Sequence, residues 1–108
     1  LTGLKLKSFI DDPEAHVGEM VSYEARIDEI TYMRGGMKIR ASTKDANGKR
    51  QTYMLKTHGY AEDQIYEDMR LTFYGEIRGY DEMTSKEGEL LTLPCVHVDC
   101  AQWLIVKE

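Results

Sequence analysis

Arg70-Leu71-Thr72-Phe73-Tyr74-Gly75-Glu76-Ile77-Arg78 decides the fold class. Leu71, Phe73, Gly75 and Ile77 occupy one parity and polar residues the other, which is the period of a strand with one buried face. Gly75 sits in the middle, where a missing side chain weakens the ladder but admits strong curvature or the close approach of another backbone. A barrel corner accounts for both features.

The same period recurs on either side. In Met20 to Asp28, Val21, Tyr23, Ala25 and Ile27 alternate with polar neighbours; Ile30 breaks the parity, which places a bulge near Asp28 and Glu29. Asp12-Pro13-Glu14-Ala15-His16-Val17-Gly18 sets an Asp before a Pro and a Gly after it, the pattern of a single helical turn leading into that strand. Beyond Gly35-Gly36, Met37, Ile39 and Ala41 resume alternation. Asn47-Gly48 is a hairpin signal because both residues tolerate positive φ, and a third strand follows with Tyr53 and Leu55 inward. Between His58 and Met69 the period weakens, with Ala61, Ile65 and Met69 on one side of a short helix. Glu89 to Cys100 is the fifth strand. There Leu91 and Leu93 share one parity and Val96 and Val98 the other, so a bulge at Pro94 is expected to turn all four inward. The tail is expected to fold Trp103 or Leu104 back onto the barrel.

These readings place strands near residues 20 to 31, 37 to 44, 50 to 57, 70 to 79 and 89 to 100, with Gly79 to Gly88 as a polar connection. The expected inward set is Val21, Tyr23, Ile27, Ile39, Leu55, Leu71, Phe73, Ile77, Leu93 and Val96. Five strands with little helix describe an all-β fold, a partly open Greek-key OB barrel, with a small sandwich or SH3-like barrel as the alternative.

The 108 residues are one domain's worth, and 42% apolar against 31% charged is enough to fill one core. A single domain over 1–108 is expected. The chain starts at Leu1 rather than Met, which reads as a processed chain or a piece of a longer one. No apolar run approaches the roughly 20 residues that span a bilayer.

Three stretches resemble a known group. Asp12-Pro13-Glu14-Ala15-His16-Val17-Gly18-Glu19-Met20-Val21 resembles the "D-P-x-x-x-V-G-x-x-V" lead into the first strand of small bacterial OB-fold domains of the tRNA-anticodon-binding-like group. Leu71 to Gly79 is similar to that group's "V-T-x-Y-G-x-x-x-G", and Leu91 to Val98 to its "I-T-V-P-x-I-x-A". The resemblance implies a module carried on secreted, lipid-anchored or membrane-tethered bacterial proteins rather than an anticodon reader. The matched positions are strand cores and turns, so they transfer no functional residue.

Charge is segregated along the chain. From Met33 to Thr57, Arg34, Lys38, Arg40, Lys44, Lys49, Arg50 and Lys56 face Asp45 alone, a balance of +6, which leaves −11 for the rest of a chain whose net charge is −5. The outer surface of the second and third strands is the usual OB ligand face. The candidate ligand-binding residues are therefore Arg34, Lys38, Arg40, Arg50 and Lys56, with Tyr32 as a stacking platform. A solvated face that keeps the sheet from aggregating is the competing account.

Cys95, His97 and Asp99 share a parity at strand spacing, but a zinc site wants four ligands and no second pair completes one, so no metal or cofactor is expected. Two cysteines make no disulfide framework, and Cys95 and Cys100, five residues apart on one strand, are expected to be unbonded. Hydrolase, phosphate-loop and zinc-protease motifs are absent, so catalysis is not expected. The leading reading is a non-catalytic OB interaction module of an extracytoplasmic protein, contacting protein or an anionic ligand. The alternative is a single-stranded nucleic-acid-binding domain, cytoplasmic in setting, that uses the basic hairpin over 33–57.

Overall fold

The structure is a computed structural model describing residues 4–58 and 65–99, with 104–105 described for the backbone alone. Helix α1 (Leu6–Asp11) and a 3-10 turn (Pro13–His16) precede six strands: β1 (Met20–Met33), β2 (Gly36–Lys44), β3 (Arg50–His58), β4 (Arg70–Thr84), β5 (Leu90–Asp99) and the two-residue β6 (Leu104–Ile105). The 3-10 turn is the one expected before β1, with the Asp12 carboxylate accepting from the Ala15 N–H at 3.3 Å.

Strand β1 pairs with β4 through Met20–Arg26 and with β2 from Arg26 onward. Strand β3 then pairs with β2 antiparallel and with β5 parallel, and β5 returns to β4. The order β1-β2-β3-β5-β4 thus closes on β1, which is the strand order of the OB fold; two separate sheets are excluded. The ring closes because β1 is long enough to serve two neighbours. Its register shifts between Ile27 and Glu29, at the expected bulge. There Ile27 leaves the β4 ladder by donating to the Met69 carbonyl at 2.9 Å and accepting from the Asp68 N–H at 2.7 Å.

Gly75 meets the expectation of close approach. A Cβ built on it lies 2.6 Å from the His97 carbonyl oxygen and 2.6 and 2.8 Å from the Val96 and Val98 side chains, so β5 occupies the volume a side chain would need. At the β2–β3 turn Gly48 has φ +82°, and Asp45 holds the turn by accepting from the Asn47 and Lys49 N–H groups and the Gln51 amide. The single acid of the basic segment is therefore a turn builder. Its carboxyl is held below the usual range by the Gln51 hydrogen bond first, and then by those backbone donors.

The barrel interior contains Val21, Ile27, Ile39, Leu55, Leu71, Phe73, Ile77 and Val96, with Tyr23 packed against them as a partly buried member. Ile65 and Met69 are buried in it too, but the expected helix is not seen among the described residues there: His58 ends β3 and residues 65–69 form a turn with Asp68 at φ 73°, while Ala61 lies outside the described residues. Helix α1 carries no strong sequence signal, yet it inserts Phe9, fully buried, at ring-centroid distances of 6.2 Å from Tyr23 and 5.7 Å from Tyr53. Tyr53 is also fully buried, and its phenol is satisfied by the Thr43 hydroxyl at 2.7 Å.

Two expectations fail at the far end of the molecule. Strand β4 runs past Gly79 to Thr84, so the connection is a tight turn rather than a long polar loop. The bulge lies on β4 between Ile77 and Gly79, not at Pro94. Leu93 consequently leaves the expected inward set. With Leu91 it packs against Met54, Met83 and Cys95 in a second cluster, separate from the barrel core. The two parities of β5 serve two different cores. Strand β6 pairs with β4 at Leu71 and Thr72; the expected packing of Trp103 falls outside the described residues.

Candidate ligand-binding face

The register of β2 and β3 fixes which side chains share the outer surface. Inward pairs such as Ile39 with Leu55 and Ala41 with Tyr53 alternate with outward pairs: Lys38 with Lys56, Arg40 with Met54, Ser42 with Thr52, and Lys44 with Arg50. From β1, Arg26 stands beside Ser42 and, beyond the bulge, Glu29 beside Arg40.

The β4–β5 hairpin covers half of this surface. Asp81, Met83, Leu91, Leu93 and Cys95 share one side of the hairpin, since Asp81 pairs with Leu93 and Met83 with Leu91. That side lies on Met54, which is fully buried although it belongs to the outer face of the barrel. Polar contacts follow the apolar one. Asp81 lies 3.5 Å from both Lys38 and Lys56, and the Lys38 ammonium also donates to the Glu82 carbonyl at 2.6 Å. Desolvation raises the Asp81 pKa, but the Glu82 N–H and the two lysines outweigh it and hold the carboxyl below its usual value. Arg40 donates to Glu29 at 3.1 Å, and Glu29 is only 3% exposed. At the hairpin tip Lys86 pairs with Glu67. The hairpin's own ion pairs, of Asp81 with Lys38 and Lys56 and of Lys86 with Glu67, are at least partly solvent-exposed and contribute about 0 to 1 kcal/mol each, so the Met54 contact is what anchors the hairpin.

The six sequence candidates therefore separate. Lys38, Arg40 and Lys56 are brought together but committed to carboxylates of the chain itself. Tyr32 is half exposed, yet it pairs with the inward-facing Met37 and so projects to the opposite side of the ribbon from Lys38. It is not a stacking platform for that surface. Arg34 is exposed at the β1–β2 turn, at the opposite end of the β2–β3 ladder from the Lys44–Arg50 pair. Arg50 alone belongs to an open cationic site. Its Nη1 donates to the Ser42 carbonyl and hydroxyl at 3.4 and 3.1 Å, and it lines a cleft of about 330 Å³ with Arg26, Ser42, Lys44 and Arg70, Glu24 being the carboxylate on the rim.

Arg26 and Arg70 escaped the reading because they lie outside the basic segment in sequence. They are register partners across β1 and β4, and both stand outward beside inward Ile27 and Leu71. The outward parity was readable; the neighbourhood of β1 and β4 supplied the rest.

A second cleft, of about 390 Å³, is lined by Lys56, Arg78, Tyr80, Asp81, Cys95 and His97. Cys95 is a free, buried thiol whose pKa is pushed up to about 11, chiefly by burial, so it is a poor nucleophile. Cys100 lies outside the described residues. Among the described residues no group of three His, Cys, Asp or Glu side chains is placed to hold a metal ion, and no helix is long and apolar enough to cross a membrane.

The architecture defines an OB-fold module, and one solved structure extends the comparison. The chain is similar to the mitochondrial single-stranded DNA binding protein Rim1 of S. cerevisiae, with a TM-score of 0.56 and 13% identity over 84% of this chain and 97% of that one. At this identity the likeness establishes the fold. No protein-family profile matches the sequence, and no curated protein is similar to it.

Proposed function

We propose that this chain is a non-catalytic OB-fold binding module for single-stranded nucleic acid, engaged at the Arg50 end of the β1–β3 face. The observation that carries the proposal is the cleft in which Arg26, Lys44, Arg50 and Arg70 converge from four strands with Glu24 as the carboxylate on its rim. Composition alone favours a protein-contacting module. The concentration of cations in an open cleft, and the occurrence of the same fold in a single-stranded DNA binding protein, favour the nucleic-acid reading. The extracytoplasmic setting that the three motif resemblances imply goes with the protein-contacting reading; the nucleic-acid reading goes with a cytoplasmic one.

The site is small, and the consequence is quantitative. Neutralising about three phosphates gives a slope of log K against log salt near −2, from about −0.7 per phosphate on single strands. Base stacking adds about 1 to 3 kcal/mol per aromatic platform, and the cleft has none. Binding is therefore expected to be micromolar at low salt and to fade at physiological salt. Fluorescence anisotropy with a labelled oligothymidylate tests this. A double change Lys44→Glu, Arg50→Glu should abolish binding while Lys5→Glu, on the exposed start of α1, leaves it intact. Absence of binding at low salt, or binding that survives the double change, would refute the proposal.

A further inference from the structure

We infer that the cleft between β1, β2, β3 and β4 is a phosphomonoester site, which takes a dianionic terminal phosphate rather than the internal diesters of a strand passing through. The inference rests on the anionic-ligand reading above and narrows it.

Charge is the first reason. Three guanidinium groups and one ammonium line the cleft, from Arg26, Arg50, Arg70 and Lys44, against the carboxylates of Glu24 on the rim and Asp28 bonded to Arg26. A guanidinium presents a planar fork of donors that matches two oxygens of one phosphoryl group, and several forks converging on one small volume suit an anion with three terminal oxygens. A phosphomonoester has those three oxygens and about −1.5 to −2 charge at neutral pH, whereas an internal diester has two and a single charge.

Pre-organisation is the second. Arg50 is fixed by its Nη1 bonds to the Ser42 carbonyl and hydroxyl, and Ser42 itself is 1% exposed. Arg26 is fixed by its Nε bond to the Asp28 carboxylate at 2.7 Å. Each anchor uses one nitrogen of a group that has five N–H donors, so both guanidiniums are held in place with donors to spare.

The surroundings supply the third reason. Along β2 and β3 the outer face leads from Ser42 and Thr52 to Arg40 and Met54, where the β4–β5 hairpin lies and Arg40 is committed to Glu29. In the other direction the outward position of β1 presents Glu24, on the rim of the cleft, while Glu76 farther along β4 is paired with Arg78 at 3.1 Å. A strand crossing the cleft therefore meets a wall on one flank and passes over Glu24 on the other. A chain end, or a small phosphorylated molecule, avoids the wall and meets Glu24 alone.

The test compares a short oligothymidylate carrying a 5′-phosphate, a 3′-phosphate or neither, together with inorganic phosphate, each followed by amide chemical-shift changes and by anisotropy for the oligonucleotides. One phosphorylated end is expected to bind about tenfold more tightly than the unphosphorylated strand, the worth of roughly one additional charge-assisted hydrogen bond. Arg50→Gln should erase that difference. Lys44→Gln, at an exposed position without a structural partner to lose, should reduce it and guards against misfolding of the Arg50 variant. Equal affinity for all three strands overturns the inference while the nucleic-acid reading stands. Inorganic phosphate shifting the amides of Lys44 and Arg50 while no oligonucleotide binds upholds the site, assigns it to a small phosphorylated ligand and removes the nucleic-acid reading. Binding of neither phosphate nor any strand overturns both.

Discussion

Replacing Met54 by alanine removes the side chain around which the hairpin closes on the barrel. Met54 is fully buried on the outward side of β3, against Met83, Cys95, Leu91 and Leu93. Full burial of a methionine is worth about 1.5 to 3 kcal/mol, and Met→Ala changes in cores cost about 2 to 5 kcal/mol once the residual cavity is included. The hairpin is held on one side only and can settle into the space, so the lower part of that range applies, about 2 to 3 kcal/mol. For a domain of this size each kcal/mol moves the melting midpoint by about 4 °C, which gives a drop near 10 °C. Native-state hydrogen exchange should locate the loss. Amides of residues 80–93 should lose protection while those of β1 and the barrel half of β4 keep theirs, because the barrel core is a separate cluster. A cost below about 0.5 kcal/mol, typical of an exposed site, would refute the second core. Protection lost uniformly across both clusters would refute its independence.

Two further outcomes are expected. Gly75→Ala drives a methyl group to within 2.6 Å of the His97 carbonyl, a backbone atom that cannot step aside, so urea denaturation should show a loss of about 3 kcal/mol or an unfolded chain; a loss under 1 kcal/mol would mean that β5 does not cross there. The His97 pKa is lowered from 6.5 by burial first, and then by Arg78 and the neighbouring His58. The unfolded chain therefore binds this proton at higher pH, and the stability the neutral imidazole contributes is complete above 6.5 and lost as pH falls through the lower folded value. The urea midpoint should drop as pH falls below about 6.5, less so in His97→Gln, and an unchanged slope in that variant would exclude His97 as the group responsible.

The barrel was legible because its strands obey one period and its turns use residues with a fixed role. Val21 to Ile27 and Leu71 to Ile77 each expose a single apolar parity, the hairpin turns at Asn47-Gly48 with the positive φ on Gly48 alone, and the break at Ile30 marks a real register shift. The sequence misled where one strand has two apolar faces. Leu91 and Leu93 on one parity and Val96 and Val98 on the other imply a bulge if only one core exists, and no bulge if the strand separates two. Periodicity cannot tell these apart. Met54 is the residue that decides: an apolar side chain at an outward position between Thr52 and Lys56. The candidate site was half legible for a related reason. Counting charge along the chain collected Lys38, Arg40 and Lys56, whose partners Asp81 and Glu29 come from other strands, and passed over Arg26 and Arg70, whose neighbours come from other strands too.

The division of the outer face into a closed and an open half follows from what each half presents. Over Met54 the hairpin buries apolar surface that an exposed sheet would leave to aggregation, and the lysines flanking it are neutralised by Asp81 at little cost because all three side chains keep contact with solvent. Over Ser42 and Thr52 there is nothing apolar to bury, and the hairpin does not extend there. Four cations line that half, with Glu24 beside them and Asp28 bonded to Arg26, so they outnumber the carboxylates there in a chain that is otherwise strongly acidic. If the cleft is the phosphate site proposed above, a phosphate there is attracted at contact distance, while phosphates further along a strand face the acidic remainder of the chain. Discrimination by length thus arises from the charge pattern itself, and an oligonucleotide extended beyond the cleft should gain no affinity from its added residues.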